Sequence, residues 1–166
     1  MEDFTLTELK IVTAPDERLE TKCEEVTEFN QELHDFLDDL FDLMMEHDGI
    51  GIAAPQAGVL KQAAIVYLDD ESGIIEMINP KIDVLSGEET EVEGCLSFPG
   101  IFGEVKRPDK IRLTAQDRNG KEFTLEANGY LSRAIQHEAD HLEGLLFTSK
   151  VIKYVKEEDL EGYEEE

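Results

Sequence analysis

The sequence predicts an α+β domain in which antiparallel sheets pack around a central, metal-bearing helix. Three observations predict it. Apolar residues return at helical spacing in two separated stretches, and strand-like alternation fills the chain between them. The second helical stretch also contains His137-Glu138-Ala139-Asp140-His141, an HExxH pattern.

The first helix is expected from about Asn30 to His47. Leu33, Phe36, Leu37, Leu40, Leu43 and Met44 fall on one face, and acidic residues fill the other. Asn30 is placed to cap it and Gly49 to terminate it. Between Gln62 and Asn79, the runs AAIVYL and IIEMIN read as strands separated by the turn-like DDESG. Further on, KIRLTAQD and KEFTLEA alternate in polarity around Asn119-Gly120, the dipeptide that a type I′ hairpin turn prefers. After Asn128-Gly129, helical spacing resumes through Leu131, Ala134, Ile135 and Leu142, with Gly144 placed to end the second helix.

With 166 residues and no internal repeat, Pro-rich linker or low-complexity segment, one domain is expected over 1–166, ending in a frayed acidic tail over 157–166. Hydrophobic residues at 40% and charged residues at 33% exclude a membrane protein and a disordered chain. Against 40 Asp and Glu stand 15 Lys and Arg, a formal charge of −25 that repels phosphate backbones and anionic membranes. Neither direct nucleic-acid binding nor a membrane partner is expected. The start MEDFTLTELK has no basic or apolar signal region, and Cys23 and Cys95 lie outside any CxxC pair, so a reducing, cytoplasmic setting is expected.

On a helix, His137 and His141 at i and i+4 share a face and can hold one metal ion. Glu138 sits beside them, placed to handle a proton without ligating. Chance is a weak competitor: with only 4 His in the chain, a random HExxH arises in roughly one or two per hundred such chains. A hydrolytic centre commonly takes three protein ligands and leaves the fourth position to water. The HxxGxxH continuation of one zinc-protease group fails, because Phe147 occupies its last histidine position. A glutamate ligand would have to come from Glu157 or Glu158 in the acidic tail, and that alternative stays open. Cys95 is the better candidate, standing in Glu93-Gly94-Cys95-Leu96-Ser97 beside a glycine that lets backbone approach a bound group. A lone cysteine is ordinarily a small buried hydrophobe, but HExxH in the same chain reverses that reading. In Gly49-Ile50-Gly51-Ile52-Ala53-Ala54-Pro55-Gln56, small residues would let a substrate main chain lie close, and Gln56 could donate its amide into the site. A zinc endopeptidase is the enzymatic alternative, and a structural metal site in an interaction protein, closed by a fourth ligand, is the non-enzymatic one.

GIGIAAPQ, EGCLS and QHEADHLEG together resemble, in the same order, the three signature segments of peptide deformylases. The resemblance runs from about Val12 to Lys150 and takes in Asn79-Pro80 and the VKRP stretch from Val105 to Pro108. Ile52 stands where the family often has Leu, and an acidic tail replaces the long C-terminal helix of some members.

The resemblance implies a deformylase-like fold and removal of the N-formyl group from the N-terminal methionine of newly made polypeptides. It implies that Cys95, His137 and His141 hold one divalent metal, Fe(II) by expectation, with Zn, Ni or Co as substitutes. Glu138 would accept a proton from water and pass it to the leaving amine, while Gln56 and the Leu96 backbone N–H stabilise the oxyanion. Ile50, Tyr130 and Ala134 are candidates for the methionine pocket, Tyr130 and Ala134 lying seven and three positions before His137 on its helix face. Gly51 and Gly94 would border the substrate main chain. Glu93 and Arg107 would brace the cysteine loop as an ion pair. The implied partners are N-formylmethionyl nascent peptides, with a transient contact to the ribosome.

Overall fold

A computed structural model describes residues 9–160. Helix α1, Gln31–Glu46, is capped by Asn30, whose side chain accepts the Leu33 N–H at 3.1 Å. All six residues of the apolar stripe are buried. The helix ends differently from the expectation. Asp48, not Gly49, takes the left-handed turn (φ 55°), and the Gly49 N–H returns to the Met44 carbonyl at 3.0 Å. Aspartate tolerates that conformation better than most residues. Gly49 is needed for space instead, since a Cβ there would lie 2.9 Å from Leu96.

The strands are β1 (Gly51–Ala53), β2 (Ala63–Tyr67), β3 (Ile74–Cys95), β4 (Phe98–Gln116), β5 (Glu122–Ala127) and β6 (Val151–Val155). They form one antiparallel sheet in the order β1-β2-β3-β4-β5, with β6 paired to β4. β3 and β4 run far beyond the apolar segments that announce them, to 22 and 19 residues. Along 83–90, β3 is exposed, Val84 and Leu85 included, so backbone pairing with β4 carries the strand where no alternation marks it. Register shifts near Lys81, Ser86 and Cys95 bend this long hairpin.

Asn119-Gly120 does lie in a hairpin, but its turn is not type I′. That type needs positive φ at both central residues, and here only Gly120 has it, at 83°. Gly120 donates to the Asp117 carbonyl at 2.9 Å, while the Asp117 carboxylate accepts the N–H groups of Asn119 and Lys121 at 2.9 and 3.0 Å. The aspartate side chain selects a turn closed by a left-handed glycine after its central pair.

β2 is buried on both faces, as its unbroken apolar run implies. Ala63 and Ile65 pack toward Leu37, Leu40 and Met44 of α1. Ala64 and Val66 pack toward Ala134, Ile135 and Leu142 of the second helix, α2 (Gly129–Leu142). Burying each such large side chain stabilises the fold by about 1.5–3 kcal/mol. α2 therefore lies centrally, against β1, β2 and β4. It stops at Gly144 (φ 76°), where a Cβ would stand 2.8 Å from the Glu20 carbonyl oxygen.

After β6, Glu157–Asp159 forms a 3₁₀ turn. The rest of the expected frayed tail, 161–166, and the amino-terminal residues 1–8 lie outside the described residues. No described helix is long and apolar enough to cross a membrane.

Candidate active site

Three elements converge on one place. α2 presents His137 and His141 one turn apart, and β3 ends at Cys95, which pairs with Phe98 across the two-residue turn Leu96-Ser97. The 3₁₀ turn Ala54–Ala57 after β1 brings in Gln56. Ligand atoms of Cys95, His137 and His141 all lie within 4.8 Å of one another, and Cys95 Sγ is 3.3 Å from His141 Nε2.

His137 Nδ1 faces Glu93 Oε1 at 2.8 Å. An ionised carboxylate only accepts, so Nδ1 carries the proton and Nε2 is left for the cluster. Glu93 also accepts two N–H groups from Arg107 and one from Arg133. Burial pushes its carboxyl up, and the bonds from Arg107 and His137 more than offset this, holding it well below the usual carboxylate range. The Glu93–Arg107 pair expected from the sequence is present, and Arg107 reaches on to Asp140 at 2.9 Å. Phe147, the residue that breaks the third-histidine pattern, packs its ring 5.7 Å from that of His137.

Glu138 is buried beside the cluster. Its Oε1 and the Nδ1 of His141 are buried side-chain atoms without a hydrogen-bond partner. Burial pushes the Glu138 carboxyl up to about 7, against the downward pull of His137. Burial and the neighbouring His137 keep His141 well below its usual value, so its ring is neutral with a lone pair to offer. For His137 burial acts downward, yet hydrogen bonds to Cys95 and Glu93 and the charge of Glu138 raise it to about 10. The surroundings of His137 thus favour a positive charge beside Cys95, Glu93 and Glu138. One sulfur and two imidazoles around that position fit a divalent cation held by three protein ligands.

Ile50, Gly51, Gln56, Gly94, Leu96, Tyr130, Ala134 and Glu138 all line one cavity of about 610 Å³, together with Cys95 and His137. His141 lies beneath it, 1% exposed. Tyr130 is 60% exposed at the rim, whereas Ala134 is buried inside. The glycines have neighbours within the protein. A Cβ on Gly51 would come within 2.5 Å of the Glu138 carboxylate, and one on Gly94 within 2.7 Å of the Phe102 ring. Gln56 Oε1 accepts the Ala53 N–H at 2.9 Å, which turns Nε2 toward Ser97 Oγ at 3.2 Å and Cys95 Sγ at 3.5 Å.

The family model for polypeptide deformylase matches residues 8–157. The chain belongs to that family. It is 53% identical to peptide deformylase 1 of Bacillus subtilis (strain 168) over 93% of this chain and 97% of that relative. Among solved structures, the peptide deformylase of Thermotoga maritima superposes with a TM-score of 0.84 at 33% identity, covering 88% of this chain and 99% of that one. The peptide deformylase of Ehrlichia chaffeensis in complex with actinonin gives 0.84 at 38% identity, covering 88% and 90%. The α+β fold expected from the resemblance is that of the family. Peptide deformylases are metal-dependent enzymes that remove N-formyl groups, and this membership disfavours the zinc endopeptidase alternative.

Two residues of the deformylase site escape the sequence. Arg133, four positions before His137, could have been found from that spacing alone, because i and i+4 share a helix face. Ser97, fully buried against Gln56, carries no comparable signal.

Proposed function

We propose that Cys95, His137 and His141 hold one divalent ion, Fe(II) in the cell and replaceable by Zn, Ni or Co, in an enzyme that deformylates the N-terminal methionine of nascent polypeptides. The observation that carries the reading is the convergence of one sulfur and two imidazoles beside a buried carboxylate with an unpartnered oxygen. A divalent ion in such a place lowers the pKa of water from about 15.7 toward about 7 and polarises a carbonyl.

The chain's own groups supply the rest. Glu138 takes a proton from the attacking water and passes it to the leaving amine, and a carboxyl near pH 7 suits both transfers. The Gln56 amide and the Leu96 backbone N–H donate to the developing oxyanion, each such donor contributing about 2.7–4 kcal/mol in other enzymes. Ile50, Tyr130 and Ala134 receive the methionine side chain, and the peptide beyond it runs past Gly51 and Gly94. The whole of 1–166 acts as one domain in the cytoplasm, on nascent chains and in transient contact with the ribosome.

Metal analysis and turnover of formyl-Met-Ala-Ser on one anaerobic preparation test this. One equivalent of divalent metal with turnover is expected, and metal-free protein with full activity would sink the reading. If the ion is Fe(II), activity decays in air as iron and Cys95 oxidise, and an air-stable iron preparation would remove iron from the proposal. Gly51→Ala tests the placement of Glu138. The added methyl group displaces the carboxylate, and a shift of about 1 Å costs on the order of 10²-fold in rate. Parental turnover in Gly51→Ala would show that the position of Glu138 is not critical.

A further inference from the structure

Arg133 sits one helical turn before His137, 5% exposed, and a guanidinium cannot shed its charge when buried. Nη1 donates to Glu93 Oε2 at 2.7 Å and to the Val105 carbonyl at 2.9 Å, and Nη2 donates to the Glu89 carbonyl at 2.7 Å. Neutralising Glu93 does not by itself explain a second buried arginine, because Arg107 already gives that carboxylate two N–H groups. Of the two, Arg133 is the one that also holds backbone of the β3–β4 hairpin.

The hairpin borders the cavity through Val92, Glu93 and Gly94. β3 pairs with β2 only over Ile74–Ile78, and from Glu88 to Cys95 its ladder runs to β4 alone among the described residues. Sheet pairing therefore leaves one edge of this segment unset, and hydrogen bonds from Arg133 and His137 tie it to α2. Both elements line the cavity, with Val92 and Gly94 on β3 and Tyr130 and Ala134 on α2. A second cavity of about 860 Å³, lined by Glu89 and Pro108, shares Val92, Gly94, Tyr130 and Arg133 with it.

We propose that Arg133 is a positioning residue that sets the spacing between β3 and α2, and with it the width of the pocket for the substrate's N-terminal side chain. This rests on the reading of Ile50, Tyr130 and Ala134 as that pocket's lining.

The experiment compares kcat and KM for formyl-Met-Ala-Ser and formyl-Phe-Ala-Ser in the parent, Arg133→Met and Arg133→Lys, with metal content and thermal midpoint measured on the same samples. Arg133→Met is expected to lower the Met-over-Phe ratio of kcat/KM by about 10-fold, mainly through a higher KM for the methionyl substrate, with metal content unchanged. Arg133→Lys shifts the ratio in the same direction, because an ammonium lacks the planar fork that spans Glu93 and Glu89, and it is the variant read if Arg133→Met does not fold. An unchanged ratio with an equal fall for both substrates would reduce Arg133 to structural support and overturn the proposal. Metal loss would also overturn it, by showing that Arg133 acts through Glu93 and His137. Ala134→Leu tests the underlying reading separately. If filling that position leaves both substrates untouched, the pocket assignment fails and takes the proposal with it; a steep fall there with unchanged ratios in both Arg133 variants overturns the proposal alone.

Discussion

Glu138→Gln is expected to keep its metal and lose at least about 10²-fold in kcat on formyl-Met peptides. The substitution preserves size and reach but removes the base. Glu138 is buried, with one oxygen lying where a Cβ on Gly51 would clash and the other unpartnered. Nothing in that geometry ties it to the fold through an ion pair, so the variant should fold as the parent does. Metal stoichiometry, binding of a hydroxamate inhibitor and single-turnover rates on the same sample separate the outcomes. A variant without metal would make Glu138 a ligand or a support for one. A variant with metal and near-parental turnover would route the proton through another group.

Cys95→Ser is expected to weaken metal binding severely, and Cys95→Ala, His137→Ala and His141→Ala to remove most of the metal and the activity with it. A hydroxyl is neutral and hard where a thiolate is anionic and soft, so the serine variant retains less metal than the parent in a chelator titration. Equal affinity in Cys95→Ser, or full occupancy and activity in any alanine variant, would remove that residue from the ligand set.

What was legible in the sequence was whatever obeyed a short local rule. Asn30 caps α1, the six-residue stripe is buried, and His137 and His141 share a helix face. Cys95 became legible only beside HExxH. The long β3–β4 hairpin was not, because its middle stretch buries little and its acidic residues show no alternation. The type I′ turn failed on Asp117, whose carboxylate caps two backbone N–H groups and outweighs the preference of Asn-Gly. Spacing puts Arg133 on the His137 face, but its burial was not legible: an arginine on a helix is usually solvated, and this one is buried against Glu93, 40 residues away. Nor was it legible that Gly51 and Gly94, which line the cavity, also leave space for Glu138 and Phe102.

The hydrogen-bonded charge around Glu93 comes from the β3–β4 hairpin and α2, through Arg107, Arg133, His137 and Asp140. Helix α1 supports the opposite side of β2 and carries Glu32, Asp38, Asp42 and Glu46 on its exposed face. The acidic face of α1 thus lies on a different element from the ligand cluster, although β3 carries exposed Glu88 and Glu89 as well. Charge on that face can therefore change without touching the ligand cluster, except where Asp38 holds Arg118.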